Sequence, residues 1–171
     1  RKMSVRLKII LSVIGIMIIV FGFLGGTSII TMKTNLIEMG GEQAQVAAGF
    51  ALAEIDVDEL LKLKPGDEDG KVYNSIVEPL RKMQKACGVK YLYTLTTDGS
   101  KVYYGVDTDE SEGRCAIGEE YDHTYAELAD VFAGNSYVAD TIEEDEFGSL
   151  IIAYEPIKDS KGNVVAVLAS D

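Results

Sequence analysis

Between Ile9 and Met32 the chain carries no charged position, a run of about 24 residues that is as long as a helix crossing the ~30 Å hydrocarbon core of a bilayer. Leu36, Met39, Gln43, Val46, Ala47, Phe50 and Leu52 to Ile55 continue an apolar spacing of helical period, so the spanning helix is predicted to run on past the bilayer. Gly40-Gly41 is the expected weak point in it. Asp56, with Glu59 three positions later, reads as an N-cap opening a short helix through Leu60, Leu61 and Leu63, which Lys64-Pro65-Gly66 stops. After the acidic loop Asp67 to Gly70, Val72, Ile76, Leu80, Met83 and Cys87 share one helical face, and Gly88 supplies a left-handed terminator. Pro79 inside that run implies either a kink or a fresh start near Val77, and both readings stay open.

From Val89 the period changes to two. Val89, Tyr91, Tyr93 and Leu95 alternate with Lys90, Thr94 and Thr96, and Asp98-Gly99 predicts a hairpin into Lys101 to Asp107. With a two-residue loop, Tyr93 would face Tyr104, Leu95 would face Val102 and Tyr91 would face Val106. The opposite face would hold Leu92, Thr94, Tyr103, Gly105 and Asp107, a mixed polar set suited to a ligand; a one-residue slip would exchange the two faces. A helix through Tyr125, Leu128, Ala129 and Phe132 is expected to end at Gly134-Asn135. Strands are then predicted over Tyr137 to Ile142, Leu150 to Ile157 and Val164 to Asp171, the last two joined by the turn Asp159 to Asn163. Helices, two strands, a helix and three strands imply an α+β fold, an N-terminal transmembrane helix continuing into a long helix that packs on a five-stranded antiparallel sheet.

Charge sharpens this division. All 28 acidic residues of the 171-residue chain lie at or beyond Glu38, against 11 basic residues over the same stretch, a net charge of about −17 that repels phosphates; no nucleic-acid partner is expected. Arg1, Lys2, Arg6 and Lys8 precede the apolar run and Lys33 follows it, which by the positive-inside rule puts the N-terminus in the cytoplasm. The expected organisation is a basic cytoplasmic flank over 1–8, a transmembrane helix over 9–32 and an extracytoplasmic domain over 33–171. A cleaved signal peptide and a buried core helix are the alternatives for the apolar run.

Chemistry-bearing residues are sparse. Cys87 and Cys115, with no motif spacing, are read either as a disulfide formed outside the cell or as two independent thiols. With His123 as the one histidine and no Cys-x-x-Cys, neither a zinc site nor any cofactor is expected. Asp107-x-Asp109-x-Ser111 resembles the start of a calcium loop, but Glu112 stands where the glycine belongs and Gly118 where the bidentate Glu belongs. Asp67 to Asp69 and Glu143 to Glu146 read as solvated charge runs. Ser136, Ser149 and Ser170 lack both a nucleophile elbow and an imidazole partner other than His123, so this segment is expected not to be an enzyme.

Val89-Lys90-Tyr91-Leu92-Tyr93-Thr94, the Asp98-Gly99 hairpin, Tyr103-Tyr104-Gly105-Val106-Asp107, Tyr154-Glu155-Pro156-Ile157-Lys158-Asp159, Gly162 and Val164 to Asp171 together resemble a single-Cache sensor domain. Such domains are similar to PAS domains, with a five-stranded sheet behind a long helix that emerges from the membrane, and occur in bacterial methyl-accepting chemotaxis receptors and related transmembrane receptors. The resemblance implies a fragment cut before a second membrane helix and a cytoplasmic output region, which in related receptors is a chemotaxis module, a histidine kinase or a cyclic-dinucleotide enzyme. It also implies a homodimer through the N-terminal helix and a small polar extracellular ligand.

By position in that family the ligand-binding residues would be Tyr93, Tyr103, Asp107, Tyr121, Tyr154 and Asp171, tyrosines supplying aromatic walls and hydroxyls and the two carboxylates suiting a cationic group. The Tyr, Arg, Trp, Tyr and Asp set of amino-acid-binding double-Cache receptors is missing, since the chain has no Trp and no Arg on its first strand. Arg81, Lys82 and Arg114 are the alternatives for a carboxylate ligand. A pilin-like surface protein also combines an apolar helix with an α+β head, but its processing signature, Gly before Phe with Glu five positions into the helix, is absent.

Overall fold

The computed structural model describes residues 3–122, 126–145 and 148–171, and it divides into two compact units, Arg1–Glu38 and Met39–Asp171. Helix α1 (Val5–Glu54) contributes to both. In the first unit its apolar side chains lie open, Phe21 at 66% and Ile29 at 71% exposure, and no residue of its most apolar 18-residue window, with a mean hydropathy of 2.7, is buried. Length and composition suffice to cross a bilayer.

In the second unit α1 buries Gly41, Ala44, Ala47, Ala48 and Ala51, a face small enough for close approach. Gly40-Gly41 is a packing notch within a continuous helix: a methyl group added at Gly41 would lie 2.8 Å from Val138 Cγ1. Helix α2 (Val57–Leu60) starts at Asp56, whose carboxylate accepts from the Glu59 N–H at 3.1 Å. Helix α3 (Lys71–Cys87) passes through Pro79 without a fresh start and ends at Gly88, φ +71°. Helix α4 (Glu127–Phe132) ends in a turn at Gly134; the expected Tyr125 and the single His123 fall outside the described residues.

Strands β1 (Leu92–Thr97), β2 (Val102–Asp107), β3 (Tyr137–Val138), β6 (Ala153–Lys158) and β7 (Val164–Ser170) form an antiparallel sheet in the order β2-β1-β7-β6-β3, and β4 (Glu143–Asp145) pairs with β5 (Gly148–Leu150) apart from it. The α+β class and the five strands are as expected; the extra hairpin is not. Its β4 lies within the charge run Glu143 to Glu146, where a polar strand outside the main sheet has no apolar alternation to betray it. The strand expected over Tyr137 to Ile142 stops at Val138, where Asp140 and Thr141 leave the sheet into solvent. The stretch expected over Leu150 to Ile157 is divided between β5 and β6. Pro156 is tolerated in β6 because β3 pairs only as far as Tyr154, so no neighbour on that side asks for its missing N–H.

The β1–β2 hairpin closes through four residues rather than two: Thr97 pairs with Val102 and the Asp98 N–H donates to the Lys101 carbonyl at 3.3 Å. The Asp98 carboxylate accepts from the N–H groups of Ser100 and Lys101, which wraps the loop around itself. Register therefore moves by two, Leu95 pairing with Tyr104, and a shift of two keeps every residue on its face. A bulge in β2, where Gly105 and Val106 together stand opposite Thr94, then changes the outcome. The Thr94 hydroxyl accepts from the Val106 N–H at 2.7 Å, Val106 turns into the helix-side core, and Asp107 pairs with Tyr93.

Helices α1, α2 and α3 cover one face of the sheet around Leu92, Val106, Ile157, Ala166 and Leu168. Of the residues expected on a ligand-facing side, Leu92 is part of this core, whereas Thr94 and Gly105 border a cleft of about 250 Å³ at its edge. The other face, under α4, carries Tyr93, Leu95, Tyr104, Tyr154, Val167 and Ala169.

Candidate functional site

Four buried tyrosines meet on the α4 side: Tyr93 from β1, Tyr104 from β2, Tyr121 from the loop after β2 and Tyr154 from β6. Ring centroids of Tyr93 and Tyr104 are 5.5 Å apart, those of Tyr104 and Tyr121 5.2 Å and edge-on, and those of Tyr93 and Tyr121 6.3 Å. The Tyr121 and Tyr154 hydroxyls are hydrogen-bonded at 3.0 Å, and Tyr137 of β3 stacks on Tyr154 at 6.0 Å. Tyr121 is held by its own N–H, which donates to the Val102 carbonyl at 2.8 Å and so ties the loop to the sheet edge. Rings supply apolar wall and hydroxyls supply donors and acceptors at a few fixed points, the composition of a small-molecule site.

Burial raises the Tyr93 and Tyr104 phenols above their ordinary value. Tyr93 is pushed well up, first by desolvation and then by the Asp171 charge and the neighbouring tyrosines, and Tyr104 is raised mainly by desolvation and then by Cys115. The Cys115 thiol is pushed up to about 11 by burial and then by Asp107.

Asp107 is buried, with burial raising its carboxyl against the opposing pull of the Asp109 and Cys115 N–H groups. Those two N–H groups donate to its oxygens at 3.0 Å and 2.9 Å, and its backbone exchanges hydrogen bonds with the Tyr73 hydroxyl. Its first task is therefore to fix the loop after β2. The run that resembled a calcium loop is spent likewise, Asp109 accepting from both the N–H and the hydroxyl of Ser111. Among the described residues no cluster of three metal-ligating side chains occurs. Asp171 closes β7, its carbonyl accepting from the Lys90 N–H at 2.7 Å and its N–H donating to the Tyr91 carbonyl at 3.0 Å.

The structure thus gathers Tyr93, Tyr121 and Tyr154, places Asp171 close enough to Tyr93 to act on its ionisation, and puts Asp107 in register with Tyr93 at the edge. Tyr103 goes elsewhere. It pairs with Thr96 on the opposite face, donates to the Asp98 carboxylate at 2.8 Å and lines a cleft of about 250 Å³ with Leu61, Pro65 and Ile117. Tyr104, Tyr137 and Cys115 were not among the expected site residues. Alternation with Tyr93 marked the face of Tyr104, but nothing in the strand pattern separates a site tyrosine from a core one. Arg81 is engaged by the Thr108 carbonyl and Glu78, and the Arg114 guanidinium stands 5.9 Å from the centre of the Tyr73 ring. Cys87 and Cys115 are both free thiols, which selects the second of the two cysteine readings. Beside Tyr121 a cleft of about 460 Å³ opens between the hairpin tip and α4, bordered by Lys101, Glu120, Asp122, Leu128 and Phe132.

No protein-family model matches the chain, and no curated protein matches it. Among solved structures the chain is similar to the ligand-binding domain of the Campylobacter jejuni chemoreceptor Tlp3 in complex with L-valine, at 16% identity and a TM-score of 0.45, over 85% of this chain and 60% of that one. It is similar to the periplasmic sensory domain of the Campylobacter jejuni chemoreceptor Tlp1, at 13% identity and a TM-score of 0.46, over 84% and 56%. A likeness to the A. aeolicus nlh2 GAF domain in an inactive state has 13% identity and a TM-score of 0.40, over 74% and 80%. The chain spans about three fifths of the length of the first two.

Proposed function

We propose that the chain is the sensor portion of a transmembrane receptor, held in the cell membrane by the first part of α1 with its N-terminus in the cytoplasm. Its α+β head, of the single-Cache type that its strand motifs resemble, would bind a small polar molecule outside the cell. The observation that carries this reading is the tyrosine face: one side of the sheet packs a mainly aliphatic core against α1, α2 and α3, while the other gathers four tyrosines, of which Tyr121 borders a cleft of about 460 Å³. The proposed site comprises Tyr93, Tyr121 and Tyr154, with Asp171 and Asp107 at its border. Tyr103 is left out because its hydroxyl is committed to Asp98. Two carboxylates near the rings favour a ligand with a cationic or hydroxyl group over a simple carboxylate.

Within the second unit α1 presents Met39, Val46 and Phe50, exposed at 66%, 53% and 60%, at positions i, i+7 and i+11, while Gly49 between them opens onto empty space. Seven-residue spacing suits a seam against a second copy of the same helix, so the receptor is proposed to be a homodimer. A chemotaxis output is the proposed destination of the signal. Any signal requires the ligand to bind two conformations unequally, since equal affinity shifts no equilibrium.

The test is a melting-temperature screen of the chain in lipid nanodiscs against amines, polyols, carboxylates, amino acids and nucleobases. A ligand confined to the native state adds ~2.7 kcal/mol of stability at a hundredfold excess over Kd, and the melting temperature keeps climbing with the logarithm of its concentration. Absence of any concentration-dependent shift across the panel, from a sample with a cooperative transition, counts against the sensor reading.

A further inference from the structure

Helix α1 and the tyrosine site meet through two short stretches of chain. Val138 of β3 presses its Cγ1 into the notch at Gly41, and Ile151 lies over Gly40, where an added methyl group would come within 2.6 Å of its Cδ1. The same stretches hold the site. Val138 pairs with Ala153 and Tyr137 with Tyr154, the Ala139 N–H donates to the Ile152 carbonyl at 2.8 Å, and Leu150 and Ile152, on either side of Ile151, are buried in the tyrosine cluster. Successive residues of one extended stretch thus face opposite ways, one onto α1 and its neighbours onto the rings.

We infer that Val138 and Ile151 are positioning residues that link the tyrosine site to α1: whatever moves Tyr154 and β3 moves the two side chains seated on Gly40-Gly41, and a displacement of α1 is returned to the site by the same contact. The inference rests on the sensor reading for its purpose but not for its geometry. Two features make the contact a link rather than loose packing. Val138 has a single side-chain torsion, stiff because it is branched at Cβ, so it cannot swing away from Gly41 as a longer chain could. Glycine at both positions lets backbone and side chain approach more closely than any other residue allows, so the seat is lost when either is enlarged.

The experiment uses the whole chain in nanodiscs with its nine tyrosines replaced by 3-fluorotyrosine, the fluorine signals of Tyr137 and Tyr154 being assigned by Tyr137→Phe and Tyr154→Phe. Gly41→Ala should shift or split both signals, and Gly49→Ala, on the same helix with nothing within 4 Å, should leave both in place. Adding Val138→Ala to Gly41→Ala should return the Tyr154 signal toward its original position. If Gly41→Ala does not fold, Ile151→Ala, which removes bulk instead of adding it, should still shift the Tyr154 signal. Unmoved Tyr137 and Tyr154 signals in a folded Gly41→Ala or Ile151→Ala chain overturn the link, as does an equal shift in Gly49→Ala. No ligand enters this measurement, so its failure is distinct from a failure of the melting screen.

Discussion

The two faces of the five-stranded sheet are built from alternate residues of the same strands and do different work. On β1, Leu92 points toward the helices and Tyr93 toward α4; on β7, Leu168 points one way and Val167 and Ala169 the other. The helix side, Tyr73 apart, is aliphatic and depends on volume and burial, with Leu92, Ile157 and Leu168 wholly removed from water. The α4 side buries as thoroughly, yet it spends its volume on rings and hydroxyls whose worth lies in direction, and small residues on β7 leave room for them. One sheet therefore carries an aliphatic core on one side and a cluster of rings and hydroxyls on the other, and the bulge in β2 opposite Thr94 is the device that puts Asp107 in register with Tyr93.

Substitutions should break this comparison unequally. Leu168→Ala on the helix side should cost about 2–5 kcal/mol in urea denaturation, because it leaves a cavity among packed helices, whereas Tyr154→Phe should cost about 1 kcal/mol. Equal costs would erase the distinction between the faces. Next in size is the Cys115 thiol. Pushed up to about 11, it should alkylate at pH 8 about two orders of magnitude more slowly in the folded Cys87→Ser chain than in the same chain in urea. Reaction at the unfolded rate would show that water reaches this edge of the tyrosine face.

A smaller effect concerns the paired hydroxyls. Tyr121→Phe and Tyr154→Phe should each cost about 1 kcal/mol and the double variant clearly less than their sum, since removing both partners strands neither. Strict additivity in a double-mutant cycle would mean that the hydroxyls act independently. The smallest is a pH slope. Burial raises the Asp107 carboxyl above its unfolded value, so the folded chain holds that proton more tightly and the contribution to stability is full at low pH. It falls as pH rises from the ordinary carboxylate range through the raised value. Asp107→Asn should flatten that part of the stability profile, and an unchanged profile would remove Asp107 as its source.

The helical half was legible because each signal was local: the cap at Asp56, the terminator at Gly88 and the period of α3 each act within a turn or two. Pro79 remained ambiguous since propensity alone cannot weigh one lost hydrogen bond against the packing of Tyr73, Ile76 and Leu80. Strand identities were legible by alternation, but register was not, because Asp98 closes the hairpin by binding N–H groups two and three residues on, and the bulge arises from a cross-strand bond of Thr94. Of the expected site residues, Tyr93, Tyr121 and Tyr154 lie together in the structure, while the Tyr103 hydroxyl bonds Asp98, a partner five residues away that periodicity does not register. Gly40-Gly41 looked like a flaw in the helix from propensity, and its use as a seat depends on residues about a hundred positions later.

The most direct test of the division between the faces is a calorimetric titration of the strongest ligand from the melting screen into three chains in nanodiscs: the original, Tyr154→Phe and Tyr103→Phe. Binding weakened at least tenfold, about 1.4 kcal/mol, by Tyr154→Phe and unaltered by Tyr103→Phe is the predicted result. Binding that survives Tyr154→Phe and is lost in Tyr103→Phe would place the ligand on the opposite face and contradict the account.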